Sequence, residues 1–280
     1  MPVQHYTRAE AAHTPAMGIL ENLRELWARR ELIWLLVVRD FKVRYQGSVL
    51  GFIWSLLIPL VQILVLTIVF KHFVRLQIPN YSVFVFCAYV PWIAFQTVLG
   101  DSCKSVLEQR NLVRKTCFPR EALPIATLVT GTIHFLLYIA VLLAVLACIP
   151  VRFFPTLLLI PVLMLIQAAL MMGLGFIVSA MQVYYHDVAY GVQVLLMVCF
   201  WLTPIVYPPT MVPEKYLSWY NLNPMVAVVG GFRRAILPTQ ENIQAAPSEL
   251  IIQAALISAF VLIVGYLVFR WRSWHLPEAL

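Results

Sequence analysis

The chain has 280 residues, of which 61% are hydrophobic and 12% are charged, and its net charge is +7. Soluble domains average about 45–50% apolar and about 25% charged residues, so this composition excludes a soluble protein and predicts an integral membrane protein. The positive charge does not indicate nucleic-acid binding, because no soluble domain is predicted that would gather the basic residues on one face.

The N-terminal part of the chain precedes the apolar stretches. Residues 1–18 are polar and contain no secretory signal, and we expect them to be mobile. In residues 19–46 apolar side chains first recur at helical spacing between Glu and Arg, which predicts an amphipathic cytoplasmic interface helix. Its basic and aromatic content is typical of helices that lie in the plane of the membrane interface.

Six apolar stretches follow, each close to the roughly 20 residues that cross about 30 Å of hydrocarbon. They are residues 50–70, 83–100, 123–149, 153–180, 188–206 and 250–269. In lipid the backbone must satisfy its own hydrogen bonds, so each stretch is predicted to be a helix. The predicted fold is an all-α membrane protein with a six-span domain at 47–270 and a cytoplasmic tail at 271–280.

The distribution of basic residues predicts the orientation. With six spans both termini lie on one side, and that side carries 14 of the 20 Lys and Arg residues. Loops rich in Lys and Arg stay in the cytoplasm, so both termini are predicted to be cytoplasmic.

The predicted spans contain almost no ionisable side chains. His134 is the only one well inside a span, where we interpret it as a helix-packing or pore-wall residue. Ion-coupled transporters usually carry intramembrane charged residues, so this class is disfavoured. The sequence also has no GxxxxGK[ST] phosphate loop, so any ATPase must be a separate chain. His186 and Asp187 are the nearest approach to a catalytic pair, and we interpret them as a polar turn rather than an enzyme site.

Residues 101–120, between the second and third spans, are predicted to be a cytoplasmic coupling segment. They contain a predicted short helix over residues 102–113 and a basic cluster, and Pro119 ends the segment. The apolar face of this helix consists of Val106, Leu107, Leu112 and Val113. Such a face suits insertion into a groove of a partner protein.

Residues 207–237, between the fifth and sixth spans, are rich in proline and in Tyr and Trp of the kind found at membrane interfaces. The apolar run 225–232 is too short to cross a bilayer, and Arg233 and Arg234 follow it. We therefore predict short re-entrant helices that form an outer gate, with a plain interfacial cap as the alternative.

Several of these stretches, taken together and in order, resemble the ABC-2 type transporter permeases, and within them the branch that exports O-antigen, capsule and teichoic-acid polymers. The matching stretches are LLVVRDFKVRYQGSVLGFIWSLLIPL (35–60), LVRKTCFPREALP (112–124), YYHDV (184–188), FWLTPIVYP (200–208) and LNPMVAVVGGFRRAIL (222–237). One departure is His186, where this branch commonly has Arg before the Asp.

The resemblance implies a homodimer with two copies of a separate ABC ATPase, which would hold ATP and Mg, whereas this chain would hold no cofactor or metal. It implies that an undecaprenyl-linked polysaccharide moves from the cytoplasm across the bacterial inner (plasma) membrane and its lipid. An exporter of a small hydrophobic compound or drug is the alternative function. A membrane-embedded glycan-modifying enzyme is a third hypothesis.

The resemblance also implies roles for particular residues. Candidate ATPase-docking residues are Arg24, Trp27, Arg30, Leu107, Arg110, Leu112, Arg114, Lys115 and Asp187. In such exporters the first and fifth spans line a channel at the dimer interface, where aromatic rings can stack on sugars. Candidate channel-lining residues are Phe52, Trp54, Phe200, Trp201 and Tyr207, and candidate outer-gate residues are Tyr216, Trp219, Tyr220, Pro224 and Arg233.

Overall fold

The computed structural model describes residues 19–48, 51, 53–115, 119–147, 155–237 and 246–273. Within these residues the regular secondary structure is helical, and no strand is present. The all-α prediction is therefore confirmed for the described part of the chain. The predicted N-terminal segment 1–18 and most of the predicted tail 271–280 lie outside it.

The helices follow one another with short connections. They are α1 (Ile19–Ala28), α2 (Arg30–Tyr45), α3 (Ile53–Ile68, continued by the π turn Val69–Phe73), α4 (Tyr81–Ser105), α5 (Arg110–Lys115), α6 (Ala122–Ala147), α7 (Leu159–Tyr184), α8 (Val188–Leu202), α9 (Glu214–Tyr220), α10 (Pro224–Ile236) and α11 (Ser248–Ser273). Short 3₁₀ turns occur at Leu107–Gln109, Pro155–Leu158 and Pro209–Met211.

Among the described residues, five helical stretches are long and apolar enough to cross a membrane. They are Ile53–Phe73, Tyr81–Gln109, Ala122–Ala144, Thr156–Tyr184 and Ser248–Ser273. The fifth predicted stretch forms the shorter helix α8, whose 15 residues rise about 22 Å. α8 ends at Leu202 because Pro204 disfavours a helical conformation at Thr203, whose ψ is 141°.

The coupling segment differs from its prediction, because the separate helix over 102–113 is wrong. No Gly or Pro interrupts the sequence there, and α4 continues through Ser105. After Val106 the chain forms the turn Leu107–Gln109 and then the short helix α5. The buried side chain of Val106 holds this break against the bundle.

α4 is the central helix of the bundle. α3, α6, α7, α8 and α10 all pack on it, and 72% of its apolar window is buried, compared with 22% for α3. α3 packs mainly on α4, and α8 packs on α4 and α7. The two helices therefore lie at the margin of the bundle and expose one face each.

α4 also separates two groups of polar contacts. Tyr81 and Phe84, near its first residue, contact residues of the 203–237 region. Asp101 and Gln109, at the other end, contact α2. Phe84 and Asp101 lie about 25 Å apart along the helix, close to the thickness of the hydrocarbon core.

Candidate functional site

The basic end of the bundle, which comprises α1, α2 and residues 101–121, presents several predicted docking residues to solvent. Trp27 on α1 is 73% exposed, and Arg24 and Arg30 are exposed as well. A large exposed ring between Arg24 of α1 and Arg30 at the start of α2 is an uncommon surface feature, because aromatic side chains gain free energy when they are buried.

The other predicted docking residues lie on the turn Leu107–Gln109, on α5, and on the turn between α7 and α8. Arg110 is exposed, and Leu107 and Leu112 are half-buried. Asp187 is exposed on the turn between α7 and α8. Arg114 and Lys115 belong to the backbone of α5, but their side chains lie outside the described part of the structure.

The apolar face predicted for the coupling segment packs largely against other parts of the same chain. Val106 and Val113 are buried in the same apolar cluster as Leu26 of α1. Asn22 of α1 also donates to the Glu121 carboxylate at 3.1 Å and to the Tyr266 hydroxyl at 2.8 Å. These contacts connect α1 to Glu121, which directly follows the coupling segment, and to α11.

α2 is tied to the end of α4 by two polar contacts. Arg39 donates to Gln109, and Arg44 forms an ion pair with Asp101, so α2 and this part of the chain run in opposite directions. A cavity of about 390 Å³ lies between α2, α4 and α6. Its wall carries Arg39, Arg44 and Lys104 together with Asp40, Asp101 and Glu108.

His134 of α6 is a helix-packing residue. The Tyr45 hydroxyl of α2 lies 2.6 Å from His134 Nε2, and His134 Nδ1 lies 2.9 Å from the Thr130 carbonyl oxygen. Phe41 stacks on the imidazole with a centroid distance of 4.6 Å. The side chain therefore joins α2 to α6, which supports the packing interpretation over the pore-wall interpretation.

The turn with His186 and Asp187 is held by a neighbouring amide. Gln182 Nε2 donates to the His186 carbonyl at 2.8 Å, and Gln182 Oε1 accepts from the Ala189 amide at 2.6 Å. Both His186 and Asp187 side chains are exposed. Among the described residues no group of three His, Cys, Asp or Glu side chains is arranged to hold a metal ion.

The exposed faces of α3 and α8 are apolar and carry two of the predicted channel residues. Trp54 on α3 is 47% exposed, and Trp201 near the end of α8 is 54% exposed. On α3 the exposed residues repeat every three or four positions, as they do on one face of a helix. They are Ile53, Trp54, Leu57, Ile58, Val61, Leu64, Val65 and Ile68.

The remaining predicted channel residues do not share this exposure. Phe200 is half-buried and packs edge-on against Trp92, with a centroid distance of 5.8 Å. Tyr207 is half-buried, and its hydroxyl donates to the Trp201 carbonyl at 2.9 Å. Phe52 lies outside the described residues.

Two exposed glutamines interrupt these apolar faces, and sequence reasoning missed them. Gln62 lies within α3 and Gln193 within α8, and both side chains are exposed. An amide that faces hydrocarbon without a hydrogen-bond partner costs several kcal/mol, roughly 4–8 kcal/mol on a cyclohexane scale. The sequence contained a signal for them, because each is a single polar residue within an otherwise apolar span. Such a residue indicates a helix face that contacts water, a partner or substrate.

The predicted outer segment contains two helices, of which α10 is buried. Asn223 caps α10 by accepting from the Met225 amide at 3.0 Å, and Pro224 occupies its first turn. α9 is more exposed, with Trp219 78% and Tyr216 51% exposed, whereas Tyr220 is half-buried. Of the predicted gate residues, Tyr216 and Trp219 therefore face outward.

Arg233 is buried, although its charge led us to expect the apolar run to end there. α10 continues through it to Ile236, and Arg233 is 1% exposed. Its Nη2 donates to the Ile205 carbonyl at 2.8 Å, its Nε donates to the Phe84 carbonyl at 3.3 Å, and the guanidinium lies 3.5 Å from the Phe84 ring centroid. Arginine keeps its proton in proteins, so these contacts surround a buried positive charge.

Comparison with known proteins identifies the family. The model of the ABC-2 type transporter family matches residues 31–237, which include nearly all of α2, all of α3 to α10 and the connections between them. The chain therefore belongs to the ABC-2 type transporter family. The resemblance inferred from the five sequence stretches is confirmed.

Several curated relatives are similar over most of their length. The O-antigen export system permease protein RfbA of Myxococcus xanthus is 32% identical over 85% of this chain and 94% of the relative. RfbA of Klebsiella pneumoniae is 30% identical over 89% of this chain and 95% of the relative. The polysialic acid transport protein KpsM of Escherichia coli is 23% identical over 85% and 92%, respectively.

Proposed function

We propose that this chain is the membrane-spanning permease subunit of an ATP-driven exporter that moves a lipid-linked polysaccharide out of the cytoplasm. The observation that carries the proposal is the similarity to O-antigen export permeases over 94–95% of their length. The polymer is an O-antigen, a capsule or a teichoic-acid-like chain on an undecaprenyl carrier. The membrane is the bacterial inner (plasma) membrane.

In this proposal the domain at 47–270 crosses the membrane six times. The five long helical stretches provide five crossings, and α8 with the buried turn at 203–206 provides the sixth. The interface segment is residues 19–46, which comprise α1 and α2, and α9 and α10 are re-entrant helices at the outer face. Both termini lie in the cytoplasm, a proposal that rests on the Lys and Arg residues of the predicted loops.

Two copies of the chain form a homodimer, and two separate ATPase subunits, which bind ATP and Mg, dock on the basic end. The exposed residues Arg24, Trp27, Arg30 and Arg110 supply contacts there, with Asp187 nearby on the α7–α8 turn. The Asn22–Glu121 hydrogen bond and the apolar cluster that contains Leu26, Val106 and Val113 support a docking surface shared by α1 and the coupling segment.

The substrate route follows the exposed faces of α3 and α8. Trp54 and Trp201 provide rings that stack on sugars, and the Gln62 and Gln193 amides can exchange hydrogen bonds with hydroxyls. Stacking and exchangeable hydrogen bonds retain a sliding polymer without tight binding at one position. This chemistry supports a glycan more than a small apolar compound, for which the amides would have no partner.

The test compares a deletion strain with its parent. Surface polysaccharide is analysed on gels, and lipid-linked glycan is recovered from the inner membrane. We expect loss of surface polymer together with accumulation of the lipid-linked form. An unchanged surface polymer, with an increased cellular content of a hydrophobic drug, would replace this proposal with the small-molecule alternative.

A further inference from the structure

The chain after α8 makes a buried, non-helical turn at residues 203–206. All four side chains are buried, and after the Thr203 amide, which still donates to the Cys199 carbonyl at 2.9 Å, the chain leaves the helix. Non-helical backbone within a membrane protein is tolerated where the protein itself satisfies its polar groups. The Thr203 carbonyl accepts from the Ile205 amide at 2.7 Å within the turn, whereas the Ile205 and Val206 carbonyls accept from side chains of other elements.

Three side chains supply contacts to this turn. The Tyr81 hydroxyl at the start of α4 donates to the Val206 carbonyl at 2.6 Å. Arg233 of α10 donates to the Ile205 carbonyl at 2.8 Å, and Asn223 donates to the Thr203 hydroxyl at 3.2 Å. The turn is thus held between α4 and α10, which are also packed on each other.

Arg233 has a geometry that suits holding two elements at once. Its guanidinium donates to carbonyls on α4 and on the turn, and it stacks on Phe84. Among the described residues no carboxylate pairs with it, and its Nη1 is buried without a hydrogen-bond partner. A buried cation is expensive compared with an apolar residue of the same volume, so stability alone is a poor explanation for an arginine here.

We propose that Arg233 and Tyr81 are a positioning pair that fixes the turn at 203–206 and thereby the rings at the end of α8. Trp201 lies two residues before the turn, and Tyr207 follows it and bonds back to the Trp201 carbonyl. The pair determines the position at which these rings contact the exported glycan, at the C-terminal end of α8. This inference rests on the proposed function for its role in export.

The structure offers a matched control. Arg234 is the next residue on α10, and it is half-buried. Its Nη1 bonds to the Ala246 carbonyl and the Ser248 hydroxyl rather than to the turn. Arg234→Met removes the same charge from the same helix but leaves both turn contacts intact.

The first readout is the accessibility of the turn, which does not depend on export. Val206→Cys places a thiol at a buried position, and a charged maleimide is added to membrane vesicles of both orientations. Mass spectrometry then measures modification at residue 206, which separates it from the native cysteines. In this background, we expect Arg233→Met and Tyr81→Phe to raise the labelling rate about ten- to a hundredfold, the range that corresponds to the loss of one or two hydrogen bonds. Arg234→Met leaves the rate unchanged.

The second readout is the rate at which surface polymer reappears after synthesis is induced, at equal permease levels. Tyr81→Phe keeps the ring and removes one hydroxyl, so it remains informative even when Arg233→Met lowers the amount of protein. We expect both variants to slow export at least about threefold and Arg234→Met to leave it unchanged.

Unchanged labelling in both variants, or increased labelling with normal export, would overturn the positioning role. Failure of the deletion strain to lose surface polymer would refute the proposed function, while the labelling result would still decide whether the pair holds the turn.

Discussion

The close packing of α7 on α11 gives a quantitative test of the fold. The two helices contact each other along most of their length, and Gly173 of α7 lies against the backbone of α11. A Cβ atom at residue 173 would lie 2.5 Å from the Val261 carbonyl oxygen and 2.6 Å from the Leu262 nitrogen. Since ordinary carbon–oxygen contacts are about 3.3–3.6 Å, Gly173→Ala forces the helices apart by about 1 Å.

The cost of this separation can be estimated from the lost contacts. A gap of about 0.5–1 Å removes roughly a quarter to a half of the dispersion energy of the atoms on either side. Overpacking of this kind usually costs about 1–3 kcal/mol. The backbone atoms of α11 cannot rotate away as a side chain could, so we expect the upper part of that range.

The assay is thermal unfolding in detergent, followed by loss of the monodisperse peak in size-exclusion chromatography. At about 2–4 °C per kcal/mol, Gly173→Ala lowers the apparent midpoint by several degrees. Gly100→Ala is the control, because Gly100 lies in α4 with ordinary helical φ and with no neighbouring side chain or helix within 4 Å of the position that a Cβ would take. Alanine is favoured over glycine in a helix by about 1 kcal/mol, so the control is neutral or stabilised. Equal midpoints for the two variants would refute the close packing of α7 on α11.

Three further predictions concern separate surfaces. Trp201→Ala slows polymer export at unchanged permease levels, whereas Leu256→Ala, on an exposed face of α11, does not; equal export rates in the two strains would contradict a route along α8. Trp27→Ala reduces co-purification of the partner ATPase without lowering membrane insertion, and full recovery of the ATPase would remove α1 from the docking surface. Tyr45→Phe removes the hydroxyl that contacts the buried His134 ring and lowers stability by about 1–3 kcal/mol, which the same chromatographic assay measures against the parent.

The contacts at the basic end suggest how a docked partner reaches the spans. Arg44 joins α2 to Asp101 of α4, and α3 begins a few residues after α2. Between α2 and α3 lie Gly47 and Gly51, both with positive φ and with open space where a side chain would begin. Glycine adopts positive φ without the steric penalty that a side chain would impose, which accounts for glycine at these two positions.

The membrane fold was predictable from sequence because it depends on patterns that act locally. Long apolar runs have one stable arrangement in lipid, since the backbone of a helix satisfies its own hydrogen bonds. The family followed from ordered motifs such as the stretch at 35–60 and the stretch at 222–237, and the comparison confirmed it. The exposure of Trp54 and Trp201 agrees with the roles expected of them, which themselves remain predictions.

Other features depended on which side chains meet in three dimensions. The sequence shows Arg233 as a charge after an apolar run, but only the packing of α10 on α4 provides the carbonyl groups and the ring that surround it. The sequence predicts that Val106 and Val113 form a face for a partner, yet both are buried in the apolar cluster that contains Leu26.

The amino-acid sequence by itself determined that the chain lies in a lipid bilayer, that its fold is all-α, and which family it belongs to, because hydrophobicity and motif order are properties of consecutive residues. The tertiary structure decided which polar groups are satisfied and which faces are free. Tyr81 and Val206 are 125 residues apart, and their hydrogen bond forms because the bundle brings the start of α4 to the end of α8. Apolar residues on the surface and apolar residues in the core have the same composition, so only the packing distinguishes the exposed faces of α3 and α8 from the buried α4.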